Sequence, residues 1–164
     1  MSTFPQKGTV MSAWPRQDFR SMCAYYGAPG TNQVRLALPA PLRLAWNKTA
    51  TVNSIMCHRL VAPSLGKILG DIREMYSSKK AFQESGMDLF GGCLNVRKKR
   101  GGDTWSIHSW GCAIDLDPER NTMGMHRAQA SMPESVIQVF VDAGWVSLGH
   151  SRDMDFMHFQ AARL

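Results

Sequence analysis

The residues of this sequence best suited to chemistry are His108 and Asp115, seven positions apart in "SIHSWGCAID" (106–115), and His158 in "DFMHFQ" (155–160). Imidazole nitrogens and carboxylate oxygens are the donors a hydrolytic zinc site draws on. Three protein ligands there leave a fourth position for water, whose pKa the metal lowers to about 7. His108 comes immediately before a strand-like segment, Asp115 lies within it, and His158 sits in a second such piece, so neighbouring strands can bring the three together. A histidine in a strand can equally be a packed or hydrogen-bonded core residue, and spacing alone leaves that alternative open.

The whole pattern Ser106-x-His108-x-x-Gly111-x-Ala113-x-Asp115, followed by Asp155-x-x-His158, resembles the signature of the LAS metallopeptidases and, among them, the peptidoglycan-cleaving M15 members. That group includes D-Ala-D-Ala carboxypeptidases and dipeptidases, and the L-alanyl-D-glutamate peptidases of bacteriophage endolysins. Five positions matched in type and spacing, with a second element downstream, are far more specific than a lone histidine. The segments "WPRQDFRSMCAYYGAPG", "LAW", "CHRLVAPSL", "GGCLNVRKKRGG" and "AIDLDP" also look like phage-type M15 sequence, so the resemblance covers nearly the whole chain, least distinctively over 119–150.

The resemblance implies that His108, Asp115 and His158 are ligands of a Zn2+ cofactor and that Asp155 is the general base. Many relatives have glutamate at that last position, so the aspartate here is one methylene shorter, and a turn cap is its plainer alternative. The resemblance also implies that Arg97 binds substrate and stabilises the oxyanion, which suits an always-charged guanidinium; Arg100 is the competing residue. Ser106 is expected to support the loop or a ligand by hydrogen bonding, and Gly111 to allow tight backbone passage behind the metal. His58 and His126 have no assigned chemistry, and His150 reads as a solvated turn residue. Asp117 shares strand parity with Asp115, so it can face the same side and orient a ligand, or simply lead into the turn at Pro118. Trp105, Trp110 and Trp145 read as core, with Trp110 also able to wall a cleft.

The elements that must position these residues are legible in part. Phe19, Met22, Cys23 and Tyr26 repeat at helical spacing and stop at Gly27; "VRLALP" and "LRLAW" alternate as two strands or extended pieces. A helix is predicted from about Pro63 to Tyr76, a strand over 91–97, a strand in "CAIDLD" ended by Pro118, and a helix from near Pro133 to Gly144. Two short strands in "WVSL" and "FMHFQ", separated by a polar turn, complete the reading. Strands concentrated in the second half, with helices before and between them, predict an α+β fold. The resemblance adds a small, mainly antiparallel sheet carrying the metal site, of Hedgehog/DD-peptidase type.

At 164 residues, 44% of them hydrophobic, the chain suits a single domain, 1–164, with one ordinary core. Cys23, Cys57, Cys93 and Cys112 are scattered with no C-x-x-C pair, which disfavours a cysteine zinc knuckle or redox dithiol. Pro5, Lys7, Pro15, Arg16, Asp18 and Arg20 interrupt the N-terminal segment, and no later run approaches the ~20 apolar residues of a membrane span. A soluble monomer made in the cytoplasm without a signal peptide, with no stable membrane association, is therefore expected. The net charge of +6 favours a polyanionic partner, and Lys98, Lys99 and Arg100 form the one tight basic run. Nucleic acid is disfavoured by the lack of an aromatic-basic motif or a recognition-helix pattern.

With the resemblance, these features point to an endolysin-like zinc peptidase acting on the peptidoglycan stem peptide, as an L-alanyl-D-glutamate endopeptidase. It would reach the wall or periplasm from inside after holin-type release. A D-Ala-D-Ala carboxypeptidase, or a non-catalytic wall-binding or virion structural module with the same fold, are the alternatives.

Overall fold

The computed structural model describes residues 13–164, so Pro5 and Lys7 of the N-terminal reading lie outside the described residues. Helix α1 (Phe19–Tyr26) starts where the Asp18 carboxylate accepts the Ser21 amide at 2.9 Å, and ends at Gly27, whose φ of 86° favours glycine. Met22 and Tyr26 lie on its buried face, and the Tyr26 hydroxyl donates to the Ala161 carbonyl at 2.6 Å.

Two long antiparallel strands follow, β1 (Gln33–Leu44) and β2 (Asn47–His58). The two pieces expected over 34–46 are thus one strand whose register shifts between Ala37 and Leu42. Pro39 and Pro41 lie within that break and have no N–H to give a ladder, which is why the alternation looked interrupted. Strand β2 was not expected at all: burial alternates along it, but the half-buried positions before Ile55 are Ala50, Val52 and Ser54, of which only Val52 is strongly apolar. The expectation that strands concentrate in the second half is therefore wrong, because the longest two lie in the first.

Helix α2 (Ala62–Glu74) carries Pro63 in its first turn and buries Leu65, Ile68, Leu69 and Ile72, ending two residues before the predicted Tyr76. A short helix α3 (Lys79–Ser85), capped by the Ser78 hydroxyl, went unforeseen because Phe82 is its only buried residue and leaves no stripe to read. Strand β3 (Leu89–Gly92) lies earlier than the 91–97 expected, and residues after it leave the sheet. Strand β4 (Ala113–Leu116) matches its prediction closely. Helix α4 (Glu134–Asp142) buries Val136, Ile137 and Phe140; β5 (Val146–Ser147) and β6 (His158–Gln160) flank a short helix α5 (Leu148–Arg152) where a polar turn was expected.

The strands form one six-stranded sheet in the order β2-β1-β3-β4-β6-β5, antiparallel except for the parallel β1–β3 pair. The fold is α+β with a mostly antiparallel sheet. Its centre sets the positions that matter: Asp115 on β4 stands opposite His158 on β6 and opposite Gly92 on β3. In β6 the side chains alternate, so His158 and Gln160 share one face while Phe159 points to the other. There the Phe159 ring stacks on Phe140 of α4, 3.9 Å between centroids and 10° between planes.

That stack anchors the strand bearing His158. Phe140→Ala is expected to destabilise the protein by about 3–5 kcal/mol in denaturant titration. A loss near that of an exposed substitution would show that β6 is held by other means.

Candidate metal centre

His108 is not on the strand that carries Asp115 but on a single 3-10 turn, Ile107–Trp110, just before it. The turn closes on Gly111, whose amide returns to the His108 carbonyl at 3.0 Å with φ at 65°. A Cβ on Gly111 would collide with Gln33 Oε1 and lie 2.9 Å from the His58 backbone nitrogen. Glycine is thus required twice over, by the turn and by the backbone of β2 pressed against it. From there the chain enters β4, and the β4–β6 pairing sets His158 beside Asp115.

The three side chains converge. Asp115 Oδ2 lies 3.3 Å from His108 Nε2, Asp115 Oδ1 lies 3.0 Å from His158 Nδ1, and the imidazole centroids are 5.0 Å apart. One donor atom from each falls within 4.8 Å of the others. The far side of each ring decides which nitrogen carries a proton. His108 Nδ1 meets the Cys93 carbonyl at 2.8 Å, and His158 Nε2 meets Gln160 Oε1 at 2.9 Å. Both partners are acceptors, so both of those nitrogens are N–H donors, as hydrogen-bond partners assign them. Each ring therefore turns its other nitrogen toward one carboxylate. Two imidazole lone pairs and a carboxylate facing each other repel unless a cation is shared, either protons on the rings or a metal. The donor set, two nitrogens and a carboxylate, suits a divalent transition metal such as zinc.

Electrostatics follow from the same contacts. Burial works against ionised Asp115, yet the hydrogen bonds from both histidines outweigh it and hold the carboxyl well below its usual range. Burial likewise works against the His158 imidazolium, but Asp115 more than compensates and its pKa is raised. Asp155 lies just outside the cluster. Its backbone has φ of 56°, its carbonyl accepts from the His158 amide at 3.1 Å, it is 8% exposed, and its Oδ1 is buried without a hydrogen-bond partner. Burial pushes its carboxyl above the ordinary value, offset in part by His158 and reinforced by the charge on Asp115. A buried carboxylate with an open oxygen and a raised pKa is suited to accepting a proton.

The other residues singled out from the sequence lie further from this cluster. Arg97 has an exposed guanidinium whose Nη1 donates to the Lys98 carbonyl at 3.2 Å, while its backbone is tied to the metal turn. That tie runs through Ser109, whose hydroxyl accepts from the Arg97 amide at 3.0 Å and donates to the Arg97 carbonyl at 2.9 Å. Ser106 is buried, and its amide donates to the same Arg97 carbonyl at 3.0 Å. Ser109 thus joins this network though the sequence reading passed over it. Gln160 was also passed over, yet its parity with His158 on β6 was readable in "HFQ".

Asp117 does not share the face of Asp115. Its φ is 46°, and its carboxylate pairs with Arg120 Nη2 at 2.8 Å. The chain turns out of β4 after Leu116, which voids the parity argument. His58 is buried with both ring nitrogens engaged, Nε2 on the Tyr26 carbonyl at 2.8 Å and Nδ1 on the Leu60 amide at 3.1 Å. His126 Nδ1 reaches the Asp153 carbonyl at 2.8 Å, and His150 is exposed on α5. Trp110 and Trp145 are core, and Trp105 lies partly buried under Lys98, whose Nζ is 4.1 Å from the ring centroid.

Residues 100–161 match the M15 family model described as D-alanyl-D-alanine carboxypeptidase. The match supports an M15 zinc-peptidase family. The matched span contains His108, Asp115, Asp155 and His158 and leaves out Arg97. No curated protein and no solved structure matches the chain. Among the described residues no helix is long and apolar enough to cross a membrane.

Two outcomes are expected of this centre. Gly111→Ala should destabilise the protein by at least about 2 kcal/mol in thermal or denaturant unfolding, because it combines a left-handed backbone with collisions against Gln33 and β2. A near-neutral effect would show that the turn relaxes freely. Protons and metal compete for His158 Nδ1, and its raised pKa extends that competition above the ordinary histidine value of about 6.5. Divalent-metal affinity, read by chelator competition, should therefore climb as pH rises from about 6 to 8. The sign for metal-free stability is opposite. The His158 contribution is complete below the unfolded pKa of about 6.5 and is lost as pH rises through the folded value, while that of Asp115 is lost only in acid, below about 3.9. Added metal should thus stabilise more at pH 8 than at pH 6, and equal stabilisation at both would contradict the assignment.

Proposed function

We propose that this protein is a zinc-dependent, endolysin-type peptidase that hydrolyses an amide bond in the peptidoglycan stem peptide, acting as an L-alanyl-D-glutamate endopeptidase. The observation that carries the proposal is the convergence of His108 Nε2, Asp115 and His158 Nδ1 beside an unpartnered carboxylate oxygen of Asp155. A structural metal site has no use for that last group.

His108, Asp115 and His158 would hold the zinc, which supplies Lewis acidity to the scissile carbonyl and to the attacking water. The Cys93 carbonyl and Gln160 keep the two rings aimed. Asp155 takes the proton from the attacking water and returns it to the leaving amine, the exchange that its burial and open oxygen favour. Arg97 has one side-chain hydrogen bond, to a backbone carbonyl, and can exchange it for a substrate carboxylate or the developing oxyanion. The net charge of +6 favours an anionic cell-wall polymer.

The description of the matched family favours a second reading, a D-Ala-D-Ala carboxypeptidase that trims the stem end. The two differ in product. Purified protein incubated with peptidoglycan, with and without a chelator, is expected to release fragments with new L-Ala and D-Glu ends seen by mass spectrometry. Loss of one terminal D-Ala would favour the carboxypeptidase, and the absence of any metal-dependent product would reject both. Asp155→Asn is expected to keep metal binding and lower kcat by about 10²–10⁴-fold, whereas His108→Ala should lose metal and activity together.

A further inference from the structure

Gln160 is 1% exposed and lies inside the sheet, two residues beyond His158 and on the same face. Its amide nitrogen donates to the Ala162 carbonyl at 3.0 Å and to Gln17 Oε1 at 3.1 Å. The backbone carbonyl can only accept, so the amide cannot turn over without setting oxygen against oxygen, and Oε1 is committed to His158 Nε2. Gln17 is held in turn by a backbone clamp: its amide donates to the Arg163 carbonyl at 2.8 Å, the Arg163 amide to Pro15 at 2.7 Å, and Arg163 Nε to the Trp14 carbonyl at 2.9 Å. A linked series of hydrogen bonds therefore runs from the N-terminal segment through Gln17 and Gln160 to His158.

The need for such a hold follows from the carboxylate on the other side of the ring. Asp115 Oδ1, 3.0 Å from Nδ1, attracts a proton to the atom that must stay bare to bind metal. A neutral imidazole has one proton to place. A committed acceptor at Nε2 draws it away from Nδ1, and a ring without that acceptor would keep its proton on Nδ1, donated to Asp115. We propose that Gln160 is a positioning residue that holds the His158 proton on Nε2 and keeps Nδ1 as the donor facing the metal position, with Gln17 fixing Gln160. The inference rests on the metal-centre reading, and it does not depend on which bond the enzyme cuts.

The test is zinc binding by the purified full chain, by chelator competition at fixed pH without substrate, with NMR of the imidazole N–H protons of the zinc-loaded protein. Gln160→Met, of similar length and without the acceptor, should weaken zinc by about 10–100-fold, the usual effect of losing a hydrogen bond behind a metal-bound histidine. It should also lose the exchange-protected His158 Nε2–H resonance. In the metal-free wild type the neutral His158 ring should carry its proton on Nε2, read from the imidazole 15N shifts, an outcome that a purely packing role would not require. Gln17→Ala, at the far end of the series, should weaken zinc less than Gln160→Met.

A folded Gln160→Met protein with wild-type zinc affinity and a protected Nε2–H would overturn the proposal. If that variant fails to fold, the metal-free wild type decides: a neutral His158 ring protonated on Nε2 supports the role, and one protonated on Nδ1 overturns it. Wild-type zinc binding without peptidoglycan cleavage would reject the proposed function and leave Gln160 to be judged on these readouts. A wild-type chain that binds no zinc would reject both.

Discussion

Two imidazoles and a carboxylate, all mostly withdrawn from water, cannot face one another unless a cation lies between them. Around Asp115 that condition is imposed from behind. The Cys93 carbonyl and the Gln160 amide each claim a ring proton and leave the opposite nitrogens pointed at a single acceptor. The nearby backbone serves this geometry. The 3-10 turn with Gly111 aims His108, and the pairing of β4 with β6 aims His158. Close approach of β3 is possible because Gly91 has no Cβ; one added there would lie 3.0 Å from that of Asp115.

Rigidity is distributed unevenly around this centre. The turn bearing His108 is tied to residues 95–97 by Ser109 and pressed against β2 through the Gly111 carbonyl, which accepts the His58 amide at 2.9 Å. His58 is itself locked to Tyr26 and Leu60, so this histidine braces the turn of His108 without joining the cluster. Asp155 differs in kind: it holds a left-handed backbone, and its carboxylate keeps an unused oxygen. Non-glycine residues in that conformation carry some strain, which aspartate tolerates better than most, and such strain gathers where a side chain must be aimed.

Legibility followed how locally each feature is determined. Helices α2 and α4 were readable because a continuous apolar stripe repeats within a single turn-to-turn period. Strand β4 was readable from its alternation and the proline after it. Strand β2, helix α3 and the true limits of β3 were not: the inward positions of β2 are mostly small or polar, α3 buries only Phe82, and the chain leaves the sheet after Gly92 with no break in its apolar pattern. The parity argument for Asp117 failed for a related reason. Alternation holds only while a strand continues, and β4 ends at Leu116.

The sequence by itself determined the donor types and their spacing: His108, Asp115 and His158, the aspartate three residues before the last, and the glycine that the turn cannot do without. These are local properties, written in residue identity and short intervals. Only the tertiary structure decided which nitrogen of each ring is presented, that Ser109 and Gln160 stand behind the two histidines, and that Arg97 meets the centre through its backbone while its guanidinium lies in solvent. Those outcomes depend on hydrogen-bond partners brought together by strand pairing and by a clamp between the two ends of the described chain. No local pattern encodes such partners, because the energy that selects them exists only once the sheet has closed.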